Sequence, residues 1–218
     1  MKEVIVITGV NKGLGLSLLN EAVSRGLEVE GVSKSPKSDL IPENVNFTQL
    51  DCTNIEQAAA FWQMLHEKYS SYDRVILINN AGTYLKKSFD QVGVELVMKI
   101  MSDGYFSAVN MAKGLLTHFS SSTIINIVST NAIVAGPNKT AYGATKAATA
   151  NFFSALRGEL PKGQHRILNL YPGPINTWSP KPEPGCTDPD DLSKWIISSA
   201  LLTGTFEIAD CTVLPFGS

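Results

Sequence analysis

Six short runs of β-branched and other apolar residues recur along the chain, separated by longer segments whose apolar residues fall every three or four positions. This alternation narrows the fold more than any single motif. The runs cover residues 4–7, 29–32, 46–50, 75–78, 124–128 and 167–170 and read as strands. The segments 13–25, 55–69, 92–119 and 141–160 carry helical spacing. Apolar strands expect cover on both faces, and right-handed helical crossovers between parallel strands supply it. The expected architecture is α/β, a doubly wound parallel sheet flanked by helices on both faces. With 218 residues and no composition break, positions 1–218 read as a single domain. The segment 179–191 is rich in proline, glycine and charge; with Trp178 it reads as a short, stiff lid loop over residues 178–191. A further helix is expected near 191–202, and a last strand within 206–218.

Composition bears mainly on what the chain does not do. A hydrophobic share of 44% argues against disorder, and 18 basic against 20 acidic side chains leave a formal charge of −2. That field is too weak to predict nucleic acid or an anionic membrane as a partner. Cys52, Cys186 and Cys211 are widely spaced with no Cys-x-x-Cys pair, so neither a disulfide framework nor a metal site is expected, and a reducing cytoplasm fits best. No stretch approaches the roughly 20 apolar residues of a membrane span. His66, His118 and His165 are far apart in sequence and read as surface positions.

The turn Thr8-Gly9-Val10-Asn11-Lys12-Gly13-Leu14-Gly15 leaves the first strand and opens the first helix. Glycines there admit positive φ and let the backbone approach a pyrophosphate, while the helix N-terminus offers free N–H groups and partial positive charge. The second strand ends in Ser33-Lys34. An NAD site would place a carboxylate there for the ribose hydroxyl; a cation suits the 2′-phosphate of NADP. Lys34, with Lys12 from the turn, therefore favours NADP(H), with NAD(H) as the alternative.

Further motifs follow in order: Asn79-Asn80-Ala81-Gly82 after the fourth strand, Ser129 after the fifth, Tyr142-Gly143-Ala144-Thr145-Lys146, and Pro172-Gly173-Pro174-Ile175-Asn176-Thr177 after the sixth. With the glycine turn, and Ser129 thirteen residues before Tyr142, the chain resembles the short-chain dehydrogenase/reductase family over nearly its whole length. The resemblance implies a Rossmann-like domain and an oxidoreductase interconverting carbonyl and alcohol. It implies that Gly9, Asn11, Lys12, Gly13, Leu14 and Gly15 hold the pyrophosphate side, with Ser33 and Lys34 at the adenosine ribose and Asp51 and Cys52 against the adenine. Asn80, Ala81 and Gly82 would floor the nicotinamide ribose. Pro172, Gly173, Ile175 and Thr177 would meet the carboxamide, and a homodimer or homotetramer would pair the long fourth helix with the Tyr142 helix.

Carbonyl reduction needs a hydride at carbon and a proton at oxygen. Tyrosine, with a free pKa of about 10, serves as that acid only beside a cation. Lys146, one helical turn beyond Tyr142, is the expected cation and a ribose ligand, and Ser129 would hold the substrate oxygen. The chain departs from the family at Met101-Ser102-Asp103-Gly104, where an asparagine usually stands three residues before the glycine and supports a water chain to the lysine. A thioether lacks that hydrogen bonding. The departure motivates a rival reading, a catalytically weak NADP-binding redox sensor. Met98, Met101, Tyr105 and Phe106 of the same segment read as core or subunit interface.

Overall fold

A computed structural model describes residues 1–216. Seven parallel strands form one sheet in the order β3-β2-β1-β4-β5-β6-β7, with β1 Glu3–Thr8, β2 Glu28–Ser33, β3 Asn46–Gln49, β4 Arg74–Asn79, β5 Ser122–Ile127, β6 His165–Pro172 and β7 Asp210–Val213. The chain order reverses between β1 and β4, where the crossovers change faces. A crevice therefore opens beyond the C-terminal ends of these strands. The expected last strand is β7; the end of that stretch, Gly217 and Ser218, lies outside the described residues.

Helices α1 Gly13–Ser24 and α6 Pro189–Ala200 cover one face, and α2 Ile55–Tyr69, α4 Ser107–His118 and α5 Thr140–Glu159 the other. Alternate residues of the central strands divide accordingly: Ile76 and Ile78 enter the first core, Val75 and Leu77 the second. Burial on both faces is why β4 and β5 are apolar for most of their length. Local chemistry fixes the helix ends. Asn54 accepts a hydrogen bond from Gln57 N at 2.8 Å, and Asp188 caps α6 through Asp190 N at 2.8 Å, with Pro189 opening the helix. The proline-rich loop accordingly stops at Asp188, three residues short of its expected end.

Two other expectations are corrected and a third is narrowed. The long fourth helix is three pieces: α3 Val94–Met101, a π turn at Ser102–Phe106, and α4. Of the four residues read as core or subunit interface, Met98 is 66% and Phe106 51% exposed and Met101 and Tyr105 are half-buried, so they are not core, whereas Met111 of α4 is. The histidines are not simple surface residues either. His66 and His118 meet where α2 packs on α4, with ring centroids 5.5 Å apart, and His165 faces Ser122 Oγ at 2.9 Å.

One polar feature crosses the sheet on the α4/α5 side. Asn79, Asn126, Asn169 and Asp210 are register partners on four adjacent strands. Each asparagine carboxamide nitrogen donates to the next side chain, at 2.9, 2.9 and 3.3 Å.

Candidate active site

A cleft of about 1180 Å³ runs along the C-terminal edge of the sheet. Every residue expected at the cofactor and catalytic positions lines it, from Gly9 through Gly15 and Lys34 to Ser129, Tyr142, Lys146 and Thr177.

At one end the glycine turn is packed too tightly for side chains. Gly9 has φ +75°, and a Cβ on Gly15 would lie 2.1 Å from the Gly9 carbonyl oxygen. Asn80 Nδ2 donates to the Thr8 and Gly9 carbonyls at 3.0 and 3.2 Å, and Thr8 Oγ1 accepts from Asn80 N and Ala81 N. The turn after β1 and the turn after β4 are thus one unit, with Thr8 a hidden member that the glycine spacing does not advertise. Lys12 precedes α1 with no side-chain cap on the helix, so the first N–H groups of α1 are left to an incoming acceptor. Asn11 does not point into the cleft as a phosphate ligand would. Its carboxamide donates to Pro36 O at 2.8 Å and accepts from Ser38 N, tying the turn to the loop after β2.

Lys34 is at the expected place but is not a free charge: Nζ sits 2.7 Å from Asp51 Oδ2. The hydrogen bond to Asp51 holds the Lys34 ammonium above its ordinary range. Partial burial works to raise the Asp51 carboxyl, and hydrogen bonds from Lys34 and Thr53 outweigh it, so the group lies below its usual value. The Cys52 side chain is buried, which pushes its thiol up to about 12, and its carbonyl accepts from Asn110 Nδ2 at 3.0 Å. Cys52 therefore meets the cleft as backbone and wall rather than as a reactive thiol.

At the other end Ser129 closes β5, and its Oγ accepts from both Asn131 N and Asn131 Nδ2 at 3.1 Å. Asn131 was not singled out in the sequence, although an asparagine two residues beyond a serine is a recognisable turn former. With two donors fixed on its oxygen, the Ser129 hydroxyl hydrogen is left to point toward the cleft. Burial raises the Tyr142 phenol above its ordinary value, and hydrogen bonding to Ser129 opposes that shift. Lys146 is buried with Nζ donating to the Ile127 carbonyl at 2.6 Å; burial brings its ammonium down to about 8. Its Nζ stands 5.8 Å from the Tyr142 ring centre. In this geometry Lys146 is anchored to β5 rather than to the phenol, and the forces on the phenol are burial, Ser129 and Tyr84. Tyr84, also missed in the sequence, stacks edge-on to Tyr142 with centroids 5.0 Å apart.

Near the Ser129 end, Thr187 N donates to Pro174 O at 2.8 Å and Asn176 N to Thr187 O at 2.9 Å, closing the base of the proline-rich loop. Asn176 Nδ2 donates to Lys181 O at 2.7 Å, and Trp178 stands at the cleft, 65% exposed. Met101 does not line the cleft. Its backbone ends α3 where the π turn begins.

Comparison with known proteins agrees with this fold. The short chain dehydrogenase family model matches residues 3–183. Dehydrogenase/reductase SDR family member 7C of Xenopus tropicalis is 29% identical over 199 residues, 84% of this chain and 63% of that protein. The chain thus spans less than two thirds of that relative's length. An uncharacterized oxidoreductase of Staphylococcus saprophyticus is 25% identical over 98% of this chain and 97% of its own. Among solved structures, an alcohol dehydrogenase from the archaeon Thermococcus sibiricus, complexed with 5-hydroxy-NADP, superposes with a TM-score of 0.88 at 18% identity, covering 99% of this chain and 97% of that one.

Proposed function

The chain belongs to the short-chain dehydrogenase family, and from that premise we propose that it is an NADP-dependent oxidoreductase interconverting a carbonyl and an alcohol. The observation that carries the reading is the meeting of Ser129, Tyr142 and Lys146 on one wall of a cleft whose far end is the glycine cradle. The cradle fits a dinucleotide: a Cβ at Gly15 would collide with backbone, and the open N–H groups of α1 face the same space. When bound, the nicotinamide supplies the hydride.

The chain's own residues do the rest. Gly9, Gly13 and Gly15 hold pyrophosphate, Lys34 and Lys12 receive the ribose 2′-phosphate, and Ile175 and Thr177 orient the carboxamide. Lys34 must share its ammonium between Asp51 and that phosphate, so NAD(H) is the alternative wherever Asp51 keeps it. Ser129 donates its hydroxyl hydrogen to the substrate oxygen, and Tyr142 delivers the proton from its phenol during reduction and recovers it in the reverse direction. Lys146, mostly charged at neutral pH, holds the ribose from its anchor on β5 and stabilises the phenolate as it forms. The 218 residues act as one domain with residues 178–188 as the lid, in the cytoplasm; among the described residues no helix is long and apolar enough to cross a membrane. A homodimer or homotetramer covers the outward row of Val94, Met98 and Phe106 on α3 and the π turn, which are 69%, 66% and 51% exposed.

A second reading, a weakly catalytic NADP-responsive sensor, is favoured by Met101, whose side chain stays off the cleft and cannot hold a proton-conducting water. Fluorescence titration with NADPH and NADH, followed by NADPH oxidation against a panel of aldehydes and ketones, separates the two. The reductase predicts preferential NADPH binding and turnover that disappears in Tyr142→Phe. Binding without turnover above that variant would leave the sensor.

A further inference from the structure

The cleft wall beside Tyr142 carries an imbalance of charge. Its only carboxylates among the described residues are Asp51 and Asp103, and each already holds a lysine: Lys34 at 2.7 Å and Lys99 at 2.5 Å. Lys139 also lines the cleft, half-buried, immediately before α5 and three residues before Tyr142, and among the described residues it has no ion pair or side-chain hydrogen bond. Facing it is the loop after β4. Tyr84 of that loop stacks on Tyr142, and Lys87 N donates to Asn138 O at 2.8 Å, so the two loops are joined beside the tyrosine. Lys86 and Lys87 are exposed and equally unpaired, and Asp90 in the 3-10 turn Phe89–Gln91 pairs with neither. Lys139 thus stands in the cleft, with Lys86 and Lys87 on the loop joined to it, and among the described residues none of the three has a counter-charge.

We propose that the substrate is an anionic carbonyl compound, its carboxylate or phosphate held by Lys139 with Lys86 and Lys87 behind it. This rests on the oxidoreductase reading above and names its substrate class. Lys139 stands three residues before Tyr142 at the start of α5, so an anion on the one lies in the same part of the cleft as a carbonyl at the other. Tyr84, Val134 and Trp178 line the same cleft and cover the carbon chain between the two ends. Like-signed charge at a cleft mouth also raises the arrival rate of an oppositely charged ligand, an effect that salt removes.

Two matched pairs test the assignment: succinic semialdehyde against butanal, and glyceraldehyde phosphate against glyceraldehyde. Each is assayed for kcat/KM with saturating reduced cofactor in the wild type, Lys139→Gln, the double variant Lys86→Gln/Lys87→Gln, and a control, Lys162→Gln, on the exposed turn before β6. One anionic member is expected to exceed its neutral partner by about five-fold or more at low salt, and the pair that shows it tells carboxylate from phosphate. The ratio should fall toward one in Lys139→Gln and at about 0.3 M salt, partly in the double variant, and not in the control. Ratios at or below one in both pairs, or a ratio indifferent to Lys139→Gln, overturn the proposal. Should no compound turn over, the oxidoreductase reading fails by itself, and the anion site is judged by binding. Trp178 fluorescence, isolated by difference from Trp178→Phe, is titrated with hydroxybutanoate against butanol and with glycerol phosphate against glycerol. Equal or undetectable binding of charged and neutral members would again overturn it.

Discussion

Lys146 couples the chemistry of the site to the stability of the fold. Its ammonium is buried, and its one hydrogen bond, to the Ile127 carbonyl, brings no opposite charge with it. The pKa accordingly drops from an ordinary 10.5 to about 8. Between pH 8 and 10.5 the unfolded chain keeps a proton that the folded chain has released, so stability rises with pH through that window; below pH 8 the full cost of burying the charge is present. Lys146→Met should therefore be more stable than the wild type at pH 7, by about 2 kcal/mol after the lost hydrogen bond is discounted, and lose the advantage near pH 10.5. Denaturant unfolding of both proteins at pH 7 and pH 10 checks the sign. Turnover should vanish in the same variant, since destabilisation kept at one position is characteristic of a working site. Cys52 offers a second test at this scale. Burial pushes its thiol to about 12, so iodoacetamide followed by mass spectrometry should mark Cys186 and Cys211 first. Residue roles set by local spacing, such as Tyr142 and Lys146 one turn apart, were legible in the sequence. The capture of Lys34 by Asp51 was not, because it depends on β2 lying beside β3 in the register Ser33↔Gln49, which carries Lys34 toward Asp51.

At the scale of elements, helices readable by period were read correctly, and the break in the long one was not. A π turn shifts the repeat by about one residue over a single turn, and an apolar pattern averaged over 28 positions does not register so small a change. The tertiary cause is visible once α5 is in place. Gly104, inside the π turn, lies so close to α5 that a Cβ would come within 2.6 Å of Thr145 Cγ2. A similar contact joins α4 to α2, where a Cβ on Gly114 would fall 2.1 Å from Trp62 Cδ1. Alanine is the better helix former by about 1 kcal/mol, yet overpacking against an immobile indole costs about 1–3 kcal/mol. Gly114→Ala should therefore destabilise, by about 1 kcal/mol or more. Gly158→Ala, near the end of α5 with open space around it, should stabilise by about 0.5 kcal/mol. Thermal unfolding of the two variants should move the transition in opposite directions.

Across the whole molecule the sheet works as one polar relay as well as one apolar layer. Asn79 was read as part of the motif after the fourth strand and Asn126 and Asn169 not at all, because their meaning exists only in the register that joins four strands. All three carboxamides donate in the same direction, toward the Asp210 carboxylate, where Tyr171 Oη also donates at 2.8 Å. The chain of bonds begins at Asn79, the residue before Asn80 on the cleft wall, and passes through Asn126, the residue before the Ile127 carbonyl that anchors Lys146. The floor of the cleft, the lysine anchor and the edge strand β7 are therefore held by a single line of hydrogen bonds, buried at Asn79, Asn126 and Asn169 and open to solvent at Asp210. Replacing the middle member is the sharpest test. Asn126→Leu keeps the volume but removes the acceptor of Asn79 Nδ2 and the donor to Asn169 Oδ1, and each buried unpaired group costs about 1–3 kcal/mol. A loss of about 2–4 kcal/mol is expected, together with reduced turnover because Ile127 loses its fixed neighbour. Asp210→Asn, at the half-exposed end, keeps an acceptor for Asn169 and should cost less than about 1 kcal/mol. Equal, small losses in the two variants would mean that the asparagines merely fill space and that the sheet positions Lys146 through its backbone alone.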